Sequence, residues 1–467
     1  MKRKDFLKTA GIAAAGAIAA PYILPSGRLF AQSGGNHMAK HVIYVMFAGG
    51  VRHQEVIDQS YLTEQGASGA HNLTQNMFNF VGGTTNNTVI YGPSTPNTPI
   101  NNVIGQGTSF GSIESQGVTF AETNAASRGH YGGFNSLIQG NQAAAQGLAN
   151  KPINPTIFEY LRKHAGFAAT DVWFIGNTIA NSVPLLNHSE YPGFGAEYGA
   201  NFFAPSTTFG NSGQQYLSDA KFHPEEQLDY MRYMRTFLDN QFDNYGAALK
   251  QIGNTKDETE KIKEFMREMF TKGMNTVINT NVPETQAGGQ LAGKSGGDIA
   301  ALAYSMEVMK KFEPKFLTLN FSSVDVCHGN YTSYLQNLHM CDYLIGELWK
   351  WIQSTPPFKD ETIMILSPEC GRNLNPNPIK DQNNFLSYDH SDTNALRVFT
   401  QIVGGANVSG IAQSKLNAQK GNRIGTPTNP VANIKDNVLT IGEIFGVRNL
   451  IEADGRVTTS NSLFDYM

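Results

Sequence analysis

Two short stretches of the sequence decide the fold: FLTLNFSSVDVCHG at residues 316–329 and ETIMILSPECGR at residues 361–372. Each begins as an apolar run typical of a buried strand and then opens into a loop with ionisable side chains. Residues 333–353 between them are predicted to form a crossover helix. Because ligands bind outside the carboxyl ends of strands in an open parallel sheet, we expect both loops to form one site.

The same alternation of strands and helices runs through much of the chain. Residues 41–48 form an almost continuous apolar run that ends at Gly49-Gly50. Residues 154–161 have the N-cap, the proline and the apolar spacing of a helix, and residues 172–176 are strand-like again. This rhythm predicts an α/β fold with a mainly parallel central sheet flanked by helices.

The N-terminus has the pattern of an export signal. The basic segment 2–8 precedes an Ala-rich apolar run, 9–20, that is too short to span a bilayer. The motif RKDFLK at residues 3–8 resembles a twin-arginine signal with lysine in place of the second arginine. We therefore expect residues 1–31 to be a signal peptide and the mature protein to be periplasmic or secreted, without a membrane anchor.

The remainder of the chain is predicted to be one domain with an insertion. Residues 40–467 carry the strand–helix pattern, which is interrupted at 177–295 by an aromatic, Gly-rich sequence. Two helices are predicted inside this interruption, at 225–249 and 257–278. We interpret 177–295 as an insertion that caps the sheet.

Composition limits the partners of the protein. The 467 residues have a formal net charge of −4, and no cluster of lysine and arginine lies beyond the N-terminus. Nucleic acid is therefore not an expected partner, since surfaces that bind it are usually basic. The expected partner is a small anionic ester or another ligand, and the sequence defines no oligomeric state.

The chain has three cysteines, Cys327, Cys341 and Cys370, too few for a disulfide framework. Two of them lie in the ligand-bearing loops. We consider three roles: metal ligands, a pair joined to each other, or small buried hydrophobic residues, which is the commonest state of a free cysteine.

Three residues near the predicted sheet edge are candidate metal ligands. Asp325 and His328 share the first loop, and His390 follows Asp389 after the second loop. Imidazole and carboxylate groups from loops at one sheet edge suit a divalent metal such as Zn²⁺ or Mn²⁺. The sequence therefore predicts a metal site at this edge.

Five motifs occur in an order that resembles the alkaline phosphatase superfamily. They are Gly-Gly after the first strand, SRGH at 127–130, DVCH at 325–328, SPECGR at 367–372 and DH at 389–390. The chain most resembles a secreted branch known only as a domain of unknown function, whose members carry DTH, SEFGR and TDHG motifs. The resemblance covers about residues 40–60, 123–176 and 296–410 and implies a sulfatase-like α/β fold.

Members of this superfamily hold two metals about 4 Å apart, bridged by a Ser or Thr nucleophile. Carried over to this chain, the resemblance implies Asp325, His328 and His390 as ligands of the first metal and Ser127 as the nucleophile. It implies one or two divalent ions, Zn²⁺ or Mn²⁺, with Ca²⁺ as an alternative. Ser127 also fits the ordinary turn or N-cap chemistry of a serine before Gly-His.

The second metal site departs from the superfamily pattern. The aspartate expected after the first strand is absent, and Glu369-Cys370 replaces an Asp-His pair. Sulfur in place of oxygen favours softer metals. Glu55 or Asp58 is a candidate to supply the missing carboxylate, and the alternative for both is the solvated start of a helix, where acids complement the helix dipole.

Several other residues have two interpretations. Arg128 and Arg372 are candidates to hold an anionic substrate bidentately, although Arg372 could equally pair with Glu369. His130 is interpreted either as support for a metal ligand or as a core histidine. His188 is a candidate to face the site from the insertion.

Two functions therefore remain open. The first is a periplasmic metal-dependent hydrolase of phosphate or sulfate esters that uses Ser127 as its nucleophile. The second is a degenerate member of the superfamily that binds a metal, ligand or partner without turnover. A count of bound metal ions would separate them, since two ions favour turnover and one or none favours binding.

Overall fold

The computed structural model describes most of the chain from residue 37 onward. The described residues are 22–23, 29–30, 37–60, 72–81, 111–142, 151–176, 186–205, 252–274, 282, 291 and 296–467. The predicted signal peptide lies outside them, apart from the paired strands β1 (Tyr22–Ile23) and β2 (Leu29–Phe30). The predicted helix 225–249 lies outside them as well. No described helix is long and apolar enough to cross a membrane.

Nine strands within the described ranges form the central sheet. They are β3 (His41–Phe47), β4 (Val118–Asn124), β5 (Val172–Gly176), β6 (Asn201–Phe203), β7 (Phe316–Phe321), β8 (Thr362–Pro368), β9 (Arg397–Gly404), β10 (Arg423–Ile424) and β11 (Ala432–Asn433). Their order is β10-β4-β9-β8-β3-β7-β5-β6, and β11 also pairs with β4. The predicted α/β fold with a mainly parallel sheet is confirmed.

One strand departs from the parallel arrangement. β9 pairs antiparallel with β8 and with β4, whereas β3 is parallel to both β7 and β8. Because β9 runs in the opposite direction, it begins at the edge where β4 and β8 end. The residues just before Arg397 are thereby delivered to the carboxyl-end edge of the parallel strands.

Helices flank the sheet. They are α1 (His53–Val56), α2 (Ile113–Gln116), α3 (His130–Gln139), α4 (Ile157–His164), α5 (Lys256–Thr271), α6 (Gly297–Phe312), α7 (Tyr331–Ser354), α8 (Gly410–Ala418), α9 (Asp436–Ile444) and α10 (Arg448–Asp454). The crossover helix predicted at 333–353 is α7. The helix predicted at 257–278 is α5, whose apolar side chains, such as Phe265 and Met266, join the same core as α6 and α7.

Alternation along β3 separates two hydrophobic cores. Ile43 and Val45 pack in one core with residues of α6 and α7, whereas Val42 and Tyr44 pack in the other with residues of α3, α4 and α9. Successive side chains of a strand point to opposite faces, so a strand covered on both sides is apolar throughout. This burial explains the continuous apolar run that the sequence shows here.

The start of α4 differs from the predicted position. The sequence suggests Asn154 as N-cap and Pro155 as the first helical residue, but the helix begins at Ile157 with Thr156 as its N-cap. The Thr156 hydroxyl accepts from the Glu159 N–H, and the Glu159 carboxylate accepts from the Thr156 N–H at 2.7 Å. This reciprocal capping box satisfies two N–H groups and sets the boundary.

Candidate metal centre

The loops after β3, β4, β7 and β8 meet at one edge of the sheet, and glycines allow them to approach closely. Gly49 has φ +110°, and a Cβ atom there would lie 2.5 Å from the backbone nitrogen of Asp325. A Cβ atom at Gly133 of α3 would lie 2.3 Å from the carbonyl oxygen of Glu369. Both contacts exclude any side chain, so these glycines set how closely the loops pack.

Two histidines converge on one oxygen of Asp325. His130 Nε2 lies 3.2 Å from Asp325 Oδ1, and His328 Nε2 lies 3.5 Å from the same oxygen. Asp325 and His328 belong to the single 3-10 turn Ser323–His328 that follows β7. His130 arrives from the first residue of α3, after β4. The structure thus brings His130, from a separate segment, to the predicted pair Asp325 and His328.

The other nitrogen of each imidazole is held by a carboxylate. Glu369 Oε1 lies 2.6 Å from Nδ1 of His130, and Asp389 Oδ1 lies 2.7 Å from Nδ1 of His328. In metal centres, a ligating histidine usually gives its second N–H to such an acceptor, which fixes the tautomer and the ring orientation. Both Nε2 atoms are therefore left facing Asp325.

His390 completes the group. Its ring centroid lies 4.3 Å from that of His130 and 5.0 Å from that of His328. Ligand nitrogens of the three histidines all lie within 4.8 Å of one another. Three imidazoles beside a carboxylate are a donor set that suits a tetrahedral zinc ion, so these residues fit a divalent metal.

A second group of ligand atoms shares His130 with the first. One atom each from His130, Glu369 and Cys370 lie within 4.8 Å of one another, and Cys370 Sγ is 3.7 Å from His130 Nδ1. Glu369 Oε1 also accepts the Gly49 N–H at 2.7 Å. The other carboxylate oxygen, Oε2, is buried and has no hydrogen-bond partner among the described residues.

The electrostatics of the cluster favour positive charge between its carboxylates. Burial by itself lowers the pKa of His130, but the charge of Glu369 and the contact with Asp325 outweigh it and raise the pKa to about 12. Burial, together with the charges of His130 and Arg372, lowers the pKa of His390 to about 4. Burial also raises the pKa of the Cys370 thiol. In the metal-free protein, the His130 imidazolium is therefore favoured between Glu369 and Asp325.

Arg372 lies inside the protein beside Asp325. Its side chain is fully buried, and it pairs with Asp325 Oδ1 at 2.9 Å rather than with Glu369. The guanidinium also donates to the backbone carbonyls of Gly49 and Tyr388. Arg372 therefore orients Asp325 from within the protein.

Glu55 and Asp58 have partners of their own. The buried Glu55 carboxylate accepts from Arg52 at 2.9 Å and from the Tyr331 hydroxyl at 2.7 Å. Asp58 lies 3.4 Å from His53 Nδ1. Moving Glu55 into the cluster would remove an ion-pair partner from buried Arg52, which is costly. Among the described residues, neither belongs to a group of ligand atoms with His130, His328 or His390.

Ser127 and Arg128 precede His130 by three and two residues. The Ser127 hydroxyl accepts the Gly129 N–H at 3.1 Å, and a Cβ atom at Gly132 would lie 2.4 Å from that hydroxyl. Ser127 is partly buried and Arg128 is exposed. The Arg128 side chain donates to the carbonyl oxygen of Ser391 at 2.8 Å. This bond ties the loop of Ser127 to the backbone beside His390.

The cysteines and His188 are placed in the interior. All three cysteines are buried and none forms a disulfide, so the pairing of Cys327 with Cys370 does not occur. Cys341 Sγ lies 3.7 Å from Asp298 Oδ2. His188 is also buried, with Nδ1 3.1 Å from the carbonyl oxygen of Ser189.

His130 is the residue that the sequence analysis underestimated. Its motif gave it a supporting or core role, whereas the structure places it in both groups of ligand atoms. The available signal was its position at the start of the helix that follows a parallel strand, where the side chain reaches the carboxyl-end edge.

No protein-family model matches this sequence, and no curated protein matches it. Among solved structures, a protein in the alkaline phosphatase superfamily from Vibrio parahaemolyticus is 13% identical, with 96% of this chain and 76% of that chain covered and a TM-score of 0.39. The alkaline phosphatase from the Antarctic bacterium TAB5 is 11% identical, with 88% and 99% covered and a TM-score of 0.38. A putative sulfatase from Bacteroides fragilis is 9% identical, with 93% and 81% covered and a TM-score of 0.37.

The first of these three proteins is described as a member of the alkaline phosphatase superfamily. At such identities a likeness concerns the architecture alone. What those proteins bind or cleave does not follow for this chain.

Proposed function

We propose that this protein binds one divalent cation, Zn²⁺ in the first place, through Asp325, His130, His328 and His390, and hydrolyses a phosphate or sulfate ester in the periplasm. The observation that carries the proposal is the convergence of two Nε2 atoms on one Asp325 oxygen, while a carboxylate holds each Nδ1 atom. This is the arrangement by which proteins prepare histidines for a metal.

The centre is accessible to a small substrate on one side. The side chains of Asp325 and His328 are 33% and 38% exposed, whereas Glu369 is fully buried behind His130. A cation bound there would polarise an ester oxygen and stabilise the negative charge that develops during hydrolysis. A bound cation would displace the proton of His130, and three coordinating imidazoles with one carboxylate would leave the cation with net positive charge.

Ser127 and Arg128 supply the groups that would meet the ester. The Ser127 hydroxyl uses an oxygen lone pair for Gly129, so its own proton is free to be transferred when the oxygen attacks. Arg128 has one hydrogen bond to Ser391 and an exposed side chain, and its other N–H groups can hold an anionic ester.

One observation favours the alternative of binding without turnover. Among the described residues, the Ser127 hydroxyl forms no hydrogen bond with a histidine or a carboxylate, and its partner is a backbone N–H group. A serine needs a base or a metal to become a strong nucleophile. A centre that binds a cation and an anion but leaves Ser127 protonated would be a binding site.

The experiment compares metal content and hydrolysis. Protein exported through its own signal is analysed for bound metal and then assayed with aryl phosphate, phosphodiester and aryl sulfate substrates in added Zn²⁺, Mn²⁺ or Ca²⁺. Turnover that is lost in Ser127→Ala and retained in Ser136→Ala supports the hydrolase, because Ser136 lies on α3, which begins three residues after Ser127, and its hydroxyl donates to the Gly132 carbonyl. One bound metal without turnover supports the alternative, and absence of metal from the exported protein contradicts the metal-dependent hydrolase.

A further inference from the structure

Asp298, in the first turn of α6, directs its carboxylate at the loop that carries Asp325 and His328. Its Oδ1 accepts the Ser322 N–H at 3.0 Å, and its Oδ2 accepts the Ser323 N–H at 3.1 Å. The Ser323 hydroxyl donates to Oδ2 as well. One buried carboxylate therefore holds the first two residues that follow β7.

This use of an acidic residue is unusual for its position. Acids in the first turn of a helix usually complement the N–H groups of their own helix. Here the N-cap of α6 is Gly296, without a side-chain cap, and Ser322 gives the turn Ser323–His328 no side-chain cap either. Asp298 caps that turn from a neighbouring helix.

The turn is also held from the opposite side. Asn337 of α7 donates through Nδ2 to the carbonyl oxygen of Ser323 at 2.7 Å. Ser323 is thus fixed by α6 through its N–H and hydroxyl groups and by α7 through its carbonyl. Asp325 lies two residues further on, so the direction of its carboxylate depends on this anchor.

We propose that Asp298 is a positioning residue of the metal centre, which holds the turn Ser323–His328 so that Asp325 and His328 face His130. The proposal rests on the proposed function, because it requires these residues to bind a cation. The Asp298 carboxylate accepts two backbone N–H groups. It thereby makes the turn Ser323–His328 rigid before the metal binds.

The test replaces Asp298 by asparagine. The amide group of Asp298→Asn turns one acceptor into a donor that faces an N–H group, so the turn loses an anchor while the side-chain volume is kept. We expect Zn²⁺, measured by competition with a chromophoric chelator, to bind about 10- to 100-fold more weakly. The absorption spectrum of bound Co²⁺ should also change, because it reports ligand geometry.

A matched control is Asp342→Asn. Asp342 is equally buried and accepts the N–H groups of Asn76 and Met77 at 2.9 and 2.8 Å, in a segment without any ligand of the cluster. The Asp342→Asn variant should have a lower free energy of unfolding, while its Zn²⁺ affinity stays equal to that of the wild type. Unchanged affinity in Asp298→Asn, or an equal loss of affinity in both variants, overturns the proposal.

Two further outcomes have defined meanings. If Asp298→Asn does not fold, Ser323→Ala takes its place, because it removes only the hydroxyl bond to the carboxylate. We expect it to weaken Zn²⁺ binding by about 2- to 10-fold, and unchanged affinity overturns the proposal. A wild-type protein that binds no Zn²⁺ overturns the proposed function itself, which separates that failure from a failure of the role of Asp298.

Discussion

Glu369 Oε1 lies 2.6 Å from His130 Nδ1, which joins the end of β8 to the first turn of α3. The contact turns the opposite nitrogen of the ring toward Asp325. At this position the superfamily pattern leads one to expect a metal ligand. The geometry gives Glu369 a contact that orients His130, and Glu369 also belongs to the second group of ligand atoms. Its Oε2 is buried and has no hydrogen-bond partner among the described residues.

The first prediction concerns this contact. Glu369→Gln keeps the size of the side chain but removes the charge that fixes the His130 ring, so we expect Zn²⁺ affinity to fall by about 10- to 100-fold. The number of zinc ions bound per chain at saturation should stay the same. Titration with a competing chelator gives the affinity, and elemental analysis gives the count.

The number of zinc ions bound per chain decides between the two roles of Glu369. If the wild type binds two ions and Glu369→Gln binds one, Glu369 and Cys370 belong to a second cation site and the orienting role is wrong.

The second prediction concerns His130 itself. His130→Ala removes a nitrogen that faces Asp325, and loss of a direct ligand should weaken Zn²⁺ binding by at least about 100-fold, more than loss of an orienting residue. His164→Ala is the control, because His164 is in neither group of ligand atoms and its Nε2 lies 2.6 Å from the carboxylate of Asp454. Calorimetric titration of the two apo-proteins measures the difference. Equal Zn²⁺ affinities of the two variants would show that His130 is not a ligand of the metal.

The sequence predicts the framework of this site well, because strand and loop patterns are local. The apolar runs of β3, β7 and β8 mark buried strands, and the residues just after β7 and β8 mark the edge. The placement of Asp325 and His328 in one turn follows directly from their spacing. Such features need no knowledge of distant contacts.

The rest of the site depends on contacts between distant segments. Which nitrogen of His130 faces Asp325 is set by how closely α3 packs on the loop after β8, and that distance is set by Gly133. The burial of Arg372 has the same origin, because its guanidinium occupies the space between Gly49 and Asp325. Sequence patterns identify an arginine after a strand, but they do not say whether it points inward or toward solvent.

The third prediction concerns the cysteines. All three thiols are buried and free, and burial raises the pKa values of Cys327, Cys341 and Cys370. Because the thiolate is the reactive form, none should react rapidly with a thiol reagent in the native protein. After unfolding without reductant, all three should react. Only one reactive thiol under those conditions would indicate a disulfide and contradict the structure.

The last prediction concerns Arg372, whose side chain is fully buried and pairs with Asp325 at 2.9 Å. Arg372→Met has a similar volume but leaves Asp325 without its cation and two backbone carbonyls without their donor. Removing one partner of a buried pair usually costs about 3–5 kcal/mol, and the lower end applies here because the Asp325 side chain is 33% exposed. We therefore expect the metal-free variant to lose about that much free energy of unfolding in a urea titration. Lys263→Met is the comparison, because Lys263 pairs with the carboxylate of Glu260 at 2.7 Å on the surface. Surface pairs contribute little to stability, so its loss should be clearly smaller. Equal losses would show that burial of Arg372 adds nothing to its pairing with Asp325, and the positioning role given to Arg372 would then be wrong.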